Sequence, residues 1–184
     1  MKYKGCFLIL LIALSQMAKA EDAGALFAAA MTGKLERTTA LLAQGLDVNS
    51  KTAGGRTALM AASFNGNVRI VRLLLGYGAD VSLADDFGTT ALMDALVFGN
   101  EDIVALLIAA GADVNAVDKQ NVTVMARAKK TGHEKIIKLL ETAGAKEQLD
   151  VPIEEATAVG ADGKPAAKPG EKPVKPDAAP AGKK

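Results

Sequence analysis

The chain has 184 residues, 49% of them hydrophobic and 4% aromatic, with 22 basic against 21 acidic side chains. That length suits one ordinary domain, and a net charge of +1 excludes attraction to nucleic acid or an anionic membrane through bulk charge. One Cys, one His and no Trp exclude a thiolate cluster, a multi-His metal site and a disulfide framework, and leave an enzyme few groups to work with.

Residues 1–20 read as an export signal. Lys2 and Lys4 form a short basic region, Gly5 to Leu14 is an apolar run, and Ala18-Lys19-Ala20 supplies the small-x-small pattern expected just before cleavage. An uncleaved membrane anchor is the alternative, but a span needs roughly 20 apolar residues, and Ser15, Gln16 and Lys19 interrupt this run. Cys6 precedes the apolar stretch, whereas a lipidated Cys would follow it. Cleavage after Ala20 would remove Lys2, Lys4, Lys19 and Cys6. The mature chain would then be slightly acidic and free of Cys, which suits an oxidising compartment. The expected location is periplasmic or secreted.

Residues 21–150 match themselves at a period of 33. Gly55-Arg-Thr-Ala-Leu-Met60 aligns with Gly88-Thr-Thr-Ala-Leu-Met93, Gly66 with Gly99, Val71 with Val104, and Gly78-Ala79-Asp80-Val81 with Gly111-Ala112-Asp113-Val114. The register extends backward through Leu26, Gly33, Leu41 and Gly45, and forward through Thr123, Gly132, Leu140 and Gly144. It divides the middle of the chain into units 22–54, 55–87, 88–120 and 121–150.

Each unit predicts two short antiparallel helices. In the second unit Thr57 opens a run containing Leu59, Met60 and Ala62, which Asn65-Gly66-Asn67 ends with turn chemistry. A second run follows, apolar at Ile70, Val71, Leu73, Leu74 and Leu75, and Gly76 and Gly78 are expected to stop it in the left-handed conformation. In the third unit Asn100 is the expected cap of the second helix. Asp80 to Phe87 would make the hairpin-like loop to the next unit. One helix pair cannot hide its apolar face, so the units must stack; Ala28, Ala29, Ala61, Ala62 and Ala95 would allow close approach. The expected fold class is all-α, a solenoid of about four helix-turn-helix units.

All six prolines lie in residues 151–184, mixed with Ala, Gly and Lys. Such a composition cannot bury enough apolar surface to offset its ordering entropy, and a disordered solubilising tail is expected. Its Lys-Pro pairs leave open weak contact with an anionic envelope surface.

The 33-residue period, Thr-Ala-Leu-Met at Thr57 and Thr90, the turn glycines Gly66 and Gly99, and Gly-Ala-Asp-Val at Gly78 and Gly111 resemble ankyrin repeats. The resemblance covers residues 22 to about 146 and extends to the small periplasmic ankyrin proteins of Gram-negative bacteria. Met60 and Met93 depart from it by replacing the usual His after Thr-Pro-Leu, which should soften the turn-to-helix junction. Asn121 replaces Gly, and Arg127, Lys129 and Lys130 lie in the last unit's first helix, as suits a solvent-facing cap.

The resemblance implies a non-enzymatic protein-interaction module whose contacts come from hairpin tips and first helices lining a concave face. Carried onto this sequence, these positions include Arg56, Asp86, Phe87 and Thr89 at tips, and Phe64, Asn65, Val97 and Phe98 at first-helix ends. Met31, Thr32, Lys130 and Thr131 occupy matching places. Of the five aromatics beyond the signal, Phe27 falls in the core register of Met60, whereas Phe64, Phe87 and Phe98 fall on contact positions. Aromatic residues dominate binding hot spots, so Phe64, Phe87, Val97 and Phe98 flanked by Arg56 and Asp86 form the candidate partner site. The other reading of Phe64 and Phe98 is simple packing against neighbouring first helices.

No catalytic residue, cofactor or metal site is expected. His133 opens a second helix and lacks a nucleophilic partner, and Asp113, Asn115 and Asp118 lack the Gly and distal Glu of a calcium loop. The expected partner is an envelope protein met by a monomer, with no nucleic acid and no membrane span after cleavage. Two further readings are an immunity protein neutralising a secreted toxin, and an envelope tether acting through the Lys/Pro tail.

Overall fold

The computed structural model describes residues 22–146. The expected signal at 1–20 and the Pro-rich tail at 151–184 lie outside the described residues. Among the described residues eight helices follow one another: α1 (residues 22–31), α2 (Leu35–Ala43), α3 (Ala58–Phe64), α4 (Val68–Gly76), α5 (Ala91–Ala95), α6 (Glu101–Ala109), α7 (Val124–Thr131) and α8 (Glu134–Thr142). None of the helices among the described residues is long and apolar enough to cross a membrane.

The first helices start where Thr supplies a cap. The hydroxyl oxygens of Thr57, Thr90 and Thr123 accept the backbone N–H of Met60, Met93 and Ala126 at 3.4, 3.4 and 3.0 Å. Met60 sulfur accepts the Thr57 N–H at 3.5 Å, so a thioether fills the reciprocal side of the cap. As expected, Asn100 caps α6: its side chain accepts the Ile103 N–H at 3.1 Å, and Glu101 and Asp102 follow in the positive first turn.

The helices form two layers. First helices pack on first helices, α3 on α5 and α5 on α7, while α2, α4, α6 and α8 pack in succession as the second layer. Between the layers runs one continuous core, including Leu26, Leu59, Met60, Ile70, Leu74, Leu92, Met93, Leu107 and Leu140. Of the five small residues expected in close contact, Ala29, Ala61, Ala62 and Ala95 are buried and Ala28 is exposed.

Two details differ from the periodic expectation. Gly76 is the last residue of α4 rather than its left-handed stop; that conformation falls to Gly78, at φ 81°. The first helix of the third unit ends at Ala95, two positions before its counterpart in α3. Its last turn tightens there, with the Val97 N–H donating to the Asp94 carbonyl at 3.2 Å. Val97 and Phe98 therefore lie in the turn just past the helix.

The turn between paired helices shows why Gly recurs there. Gly99 has φ 68°, and a Cβ on it would lie 2.3 Å from the His133 ring nitrogen Nε2. His133 thus covers the turn of the preceding unit, as Asn67 does in the second: the Asn67 amide donates to the Ala30 carbonyl at 2.8 Å. Asn67 ties the second unit to the first by this bond, and His133 packs over the turn of the third.

Candidate partner-binding surface

The hairpin tips are built by carboxylates that organise the loop backbone. Asp85 Oδ1 accepts the N–H groups of Phe87 and Thr89, both at 2.9 Å. Asp118, one period later, accepts those of Gln120 and Val122 at 2.8 and 3.0 Å. Partial burial opposes ionisation of Asp118, but these N–H groups and Arg127 hold its carboxyl below the ordinary range. Asp113 likewise accepts the Asn115 N–H. The acidic residues that superficially suggest a calcium loop are engaged in hairpin chemistry.

Adjacent tips are also bonded to each other. The Asp86 N–H donates to the Gly54 carbonyl at 3.2 Å, and the Lys119 N–H donates to the Phe87 carbonyl at 2.9 Å. Phe87 is thereby fixed through its backbone on both sides while its ring remains 68% exposed. Leaving a large apolar ring in water on an anchored backbone preserves it for contact without an ordering cost at the loop.

Phe98 is 65% exposed, and Phe64 meets it edge-on, with ring centroids 5.1 Å apart and an interplanar angle of 74°. The two sequence readings of this pair therefore combine: Phe64 is half-buried and braces a ring that still faces solvent. Val97 and Asn65 are exposed beside them, and Asp86 is exposed at its tip. Thr89 is half-buried, tied into the loop by its N–H to Asp85.

Arg56 is placed differently from a free contact. Its Nη2 donates to Asp94 Oδ2 at 2.5 Å, and its guanidinium carbon lies 5.9 Å from the centre of the Phe27 ring. Phe27 is consequently half-buried beneath Arg56 instead of sharing the full burial of Met60. Asp94 is nearly inaccessible. Burial pushes its carboxyl up to about 7 against the pull of Arg56, and nearby Asp85 adds to the push. Arg127 forms a similar pair with Asp118, at 2.6 Å.

Asp94, buried behind Arg56 of the candidate surface, is the residue that sequence reasoning missed. Its signal was present in the register, where Ala28 and Ala61 hold the corresponding places in the first two units and charged residues, Asp94 and Arg127, hold them in the last two.

The family model for ankyrin repeats, in three copies, matches residues 3–85 and 80–150. The chain belongs to the ankyrin-repeat family. No curated protein matches it. The ankyrin repeats make this chain a protein–protein interaction module, of a family whose members are typically non-enzymatic. Fold membership names a mode of action, and the partner has to be argued from the surface.

Proposed function

We propose that this ankyrin-repeat chain acts in the bacterial periplasm as a monomeric, non-enzymatic binding protein that stabilises or regulates one envelope protein. The contact is made by Arg56, Phe64, Asn65, Asp86, Phe87, Thr89, Val97 and Phe98, on the face that is concave in the family. One observation carries the reading. Five large apolar side chains are exposed among the described residues, Met31, Tyr77, Phe87, Val97 and Phe98, and all but Tyr77 lie at tips or first-helix ends. Exposed apolar residues scattered at random need no explanation; a set gathered on one functional face does.

The export reading rests on the leader pattern at Lys2 to Ala20 and on the absence of Cys after it. A crosslinking capture from the native envelope fraction tests both halves, comparing the wild type with a Phe87→Ala, Phe98→Ala variant of unchanged circular dichroism. One dominant protein retained by the wild type and lost by the variant supports the proposed surface. Equal capture by both overturns that surface, and a chain found only in the cytosol overturns the location.

A further inference from the structure

The second-helix layer carries an irregularity unrelated to the tip face. From Ile103 to Ala112 the chain has no charged residue, although Ala105, Ala109, Ala110 and Gly111 in this stretch are exposed. Ala105 stands where α2 carries Thr39, α4 Arg72 and α8 Lys138, so the third unit alone places an apolar residue at this exposed position. Ala105 and Ala109 are exposed all the same.

Between α6 and α8 this leaves an apolar furrow of about 570 Å³, floored by Ala105, Ile108, Ala109 and Leu139 and edged by Lys135 and Lys138. Lys135 is engaged by Glu101 at 3.3 Å. Lys138 has no ion-pair partner among the described residues. The volume falls within the range of small-molecule sites, which combine an apolar lining with a few polar groups that set orientation.

We propose that this furrow holds the hydrocarbon chain of a free single-chain carboxylate, a fatty acid, with the Lys138 ammonium pairing its head group. Charge complementarity selects the anion, because the cation at the rim is the one left without a carboxylate. Dimensions select an extended chain. Nine-residue helices give a furrow roughly 13 Å long, while a partner helix is about 10–12 Å across and would rest on the rim. The absence of charge from Ala105 to Ala109 then has a use, since an Arg at Ala105 would fill the floor.

The test is a titration of the ¹⁵N-labelled full chain with sodium hexanoate, octanoate, decanoate and laurate, each below its micellar concentration, read by amide shifts. The expected result is shifts centred on Ala105, Ala109 and Leu139, with affinity rising up to about fourfold per methylene and levelling once the chain outgrows the furrow. Lys138→Glu should weaken decanoate binding at least tenfold and Lys138→Arg should preserve it; Ala105→Gln should abolish the dependence on chain length. Both sites are exposed, and thermal melts confirm that the three variants fold.

Shifts confined to other regions, equal binding of decyltrimethylammonium, or an unchanged Lys138→Glu variant would each overturn the proposal. So would binding of phosphatidylglycerol vesicles or of a synthetic acidic amphipathic helix without any binding of decanoate.

Discussion

Arg56 and Asp94 are 38 positions apart in the chain, yet their side chains meet at 2.5 Å across the boundary between the second and third units. The arginine side chain is 33% exposed and the carboxylate 6%, so the pair runs from the surface into the stack. A charge withdrawn from water is tolerated only when paired, and Asp94 depends on this partner.

The first prediction concerns pH. Burial raises the Asp94 carboxyl to about 7 in the folded chain from an ordinary 3.8, so between these limits the folded state holds a proton that the unfolded state releases. Its contribution to stability is therefore greatest in acid and is lost as pH rises through 7. The difference approaches about 4 kcal/mol for a shift of this size. Urea denaturation from pH 5 to pH 8 should show the wild type losing stability relative to Asp94→Asn, whose profile lacks this component. Parallel profiles would show that Asp94 ionises normally.

Removing the partner gives the complementary result. Arg56→Met leaves a buried carboxylate uncompensated at pH 8 and should cost roughly 1–3 kcal/mol there. At pH 5 the acid is neutral and the penalty should shrink to well under half. A penalty independent of pH would mean that Arg56 acts through packing on Phe27 alone.

The exposed rings should matter little to folding. Phe87→Ala is expected to change stability by less than about 0.5 kcal/mol, and Phe98→Ala by about 1 kcal/mol through its contact with Phe64. Leu107→Ala, in the core, should cost about 2–5 kcal/mol. Denaturant midpoints for the three variants check the order. A large loss at Phe87 would assign that ring a structural role and remove it from the contact surface.

Turn positions supply a fourth test. Gly88 has φ 78°, and an added Cβ would lie 2.9 Å from the Lys119 amide nitrogen, which is backbone and cannot move aside. Gly88→Ala should therefore destabilise by more than about 1 kcal/mol. Asn121 occupies the same register position at φ 60°, and Asn121→Gly should be nearly neutral because Asn already tolerates that region. Thermal midpoints distinguish the two, and equal losses would contradict the tip geometry.

Much of the architecture was legible before the structure. The 33-residue period located every helix pair, Thr57 and Thr90 marked the starts of first helices, and Asn100 was readable as a cap, because these features depend on neighbours within one unit. Phe87, Val97 and Phe98 were readable as candidate contact positions from the repeat register, although for Phe98 packing against neighbouring first helices stayed open.

Other features were decided between units. The register placed Phe27 with the core residue Met60, but Arg56 reaches over it from the next tip and leaves it half-buried. Asp94 showed in sequence only as an acid following two alanines in the register; its burial, its partner and its raised pKa come from the surrounding stack. The shortening of α5, which sets Val97 and Phe98 in a turn, is equally invisible to a pattern that expects every unit to repeat. By itself the sequence determined the repeat, its caps and its glycines, since local backbone preference and apolar period act over a few residues. Only the tertiary structure decided which charges meet and which rings remain in water, because desolvation and ion pairing depend on side chains that adjoining units bring together.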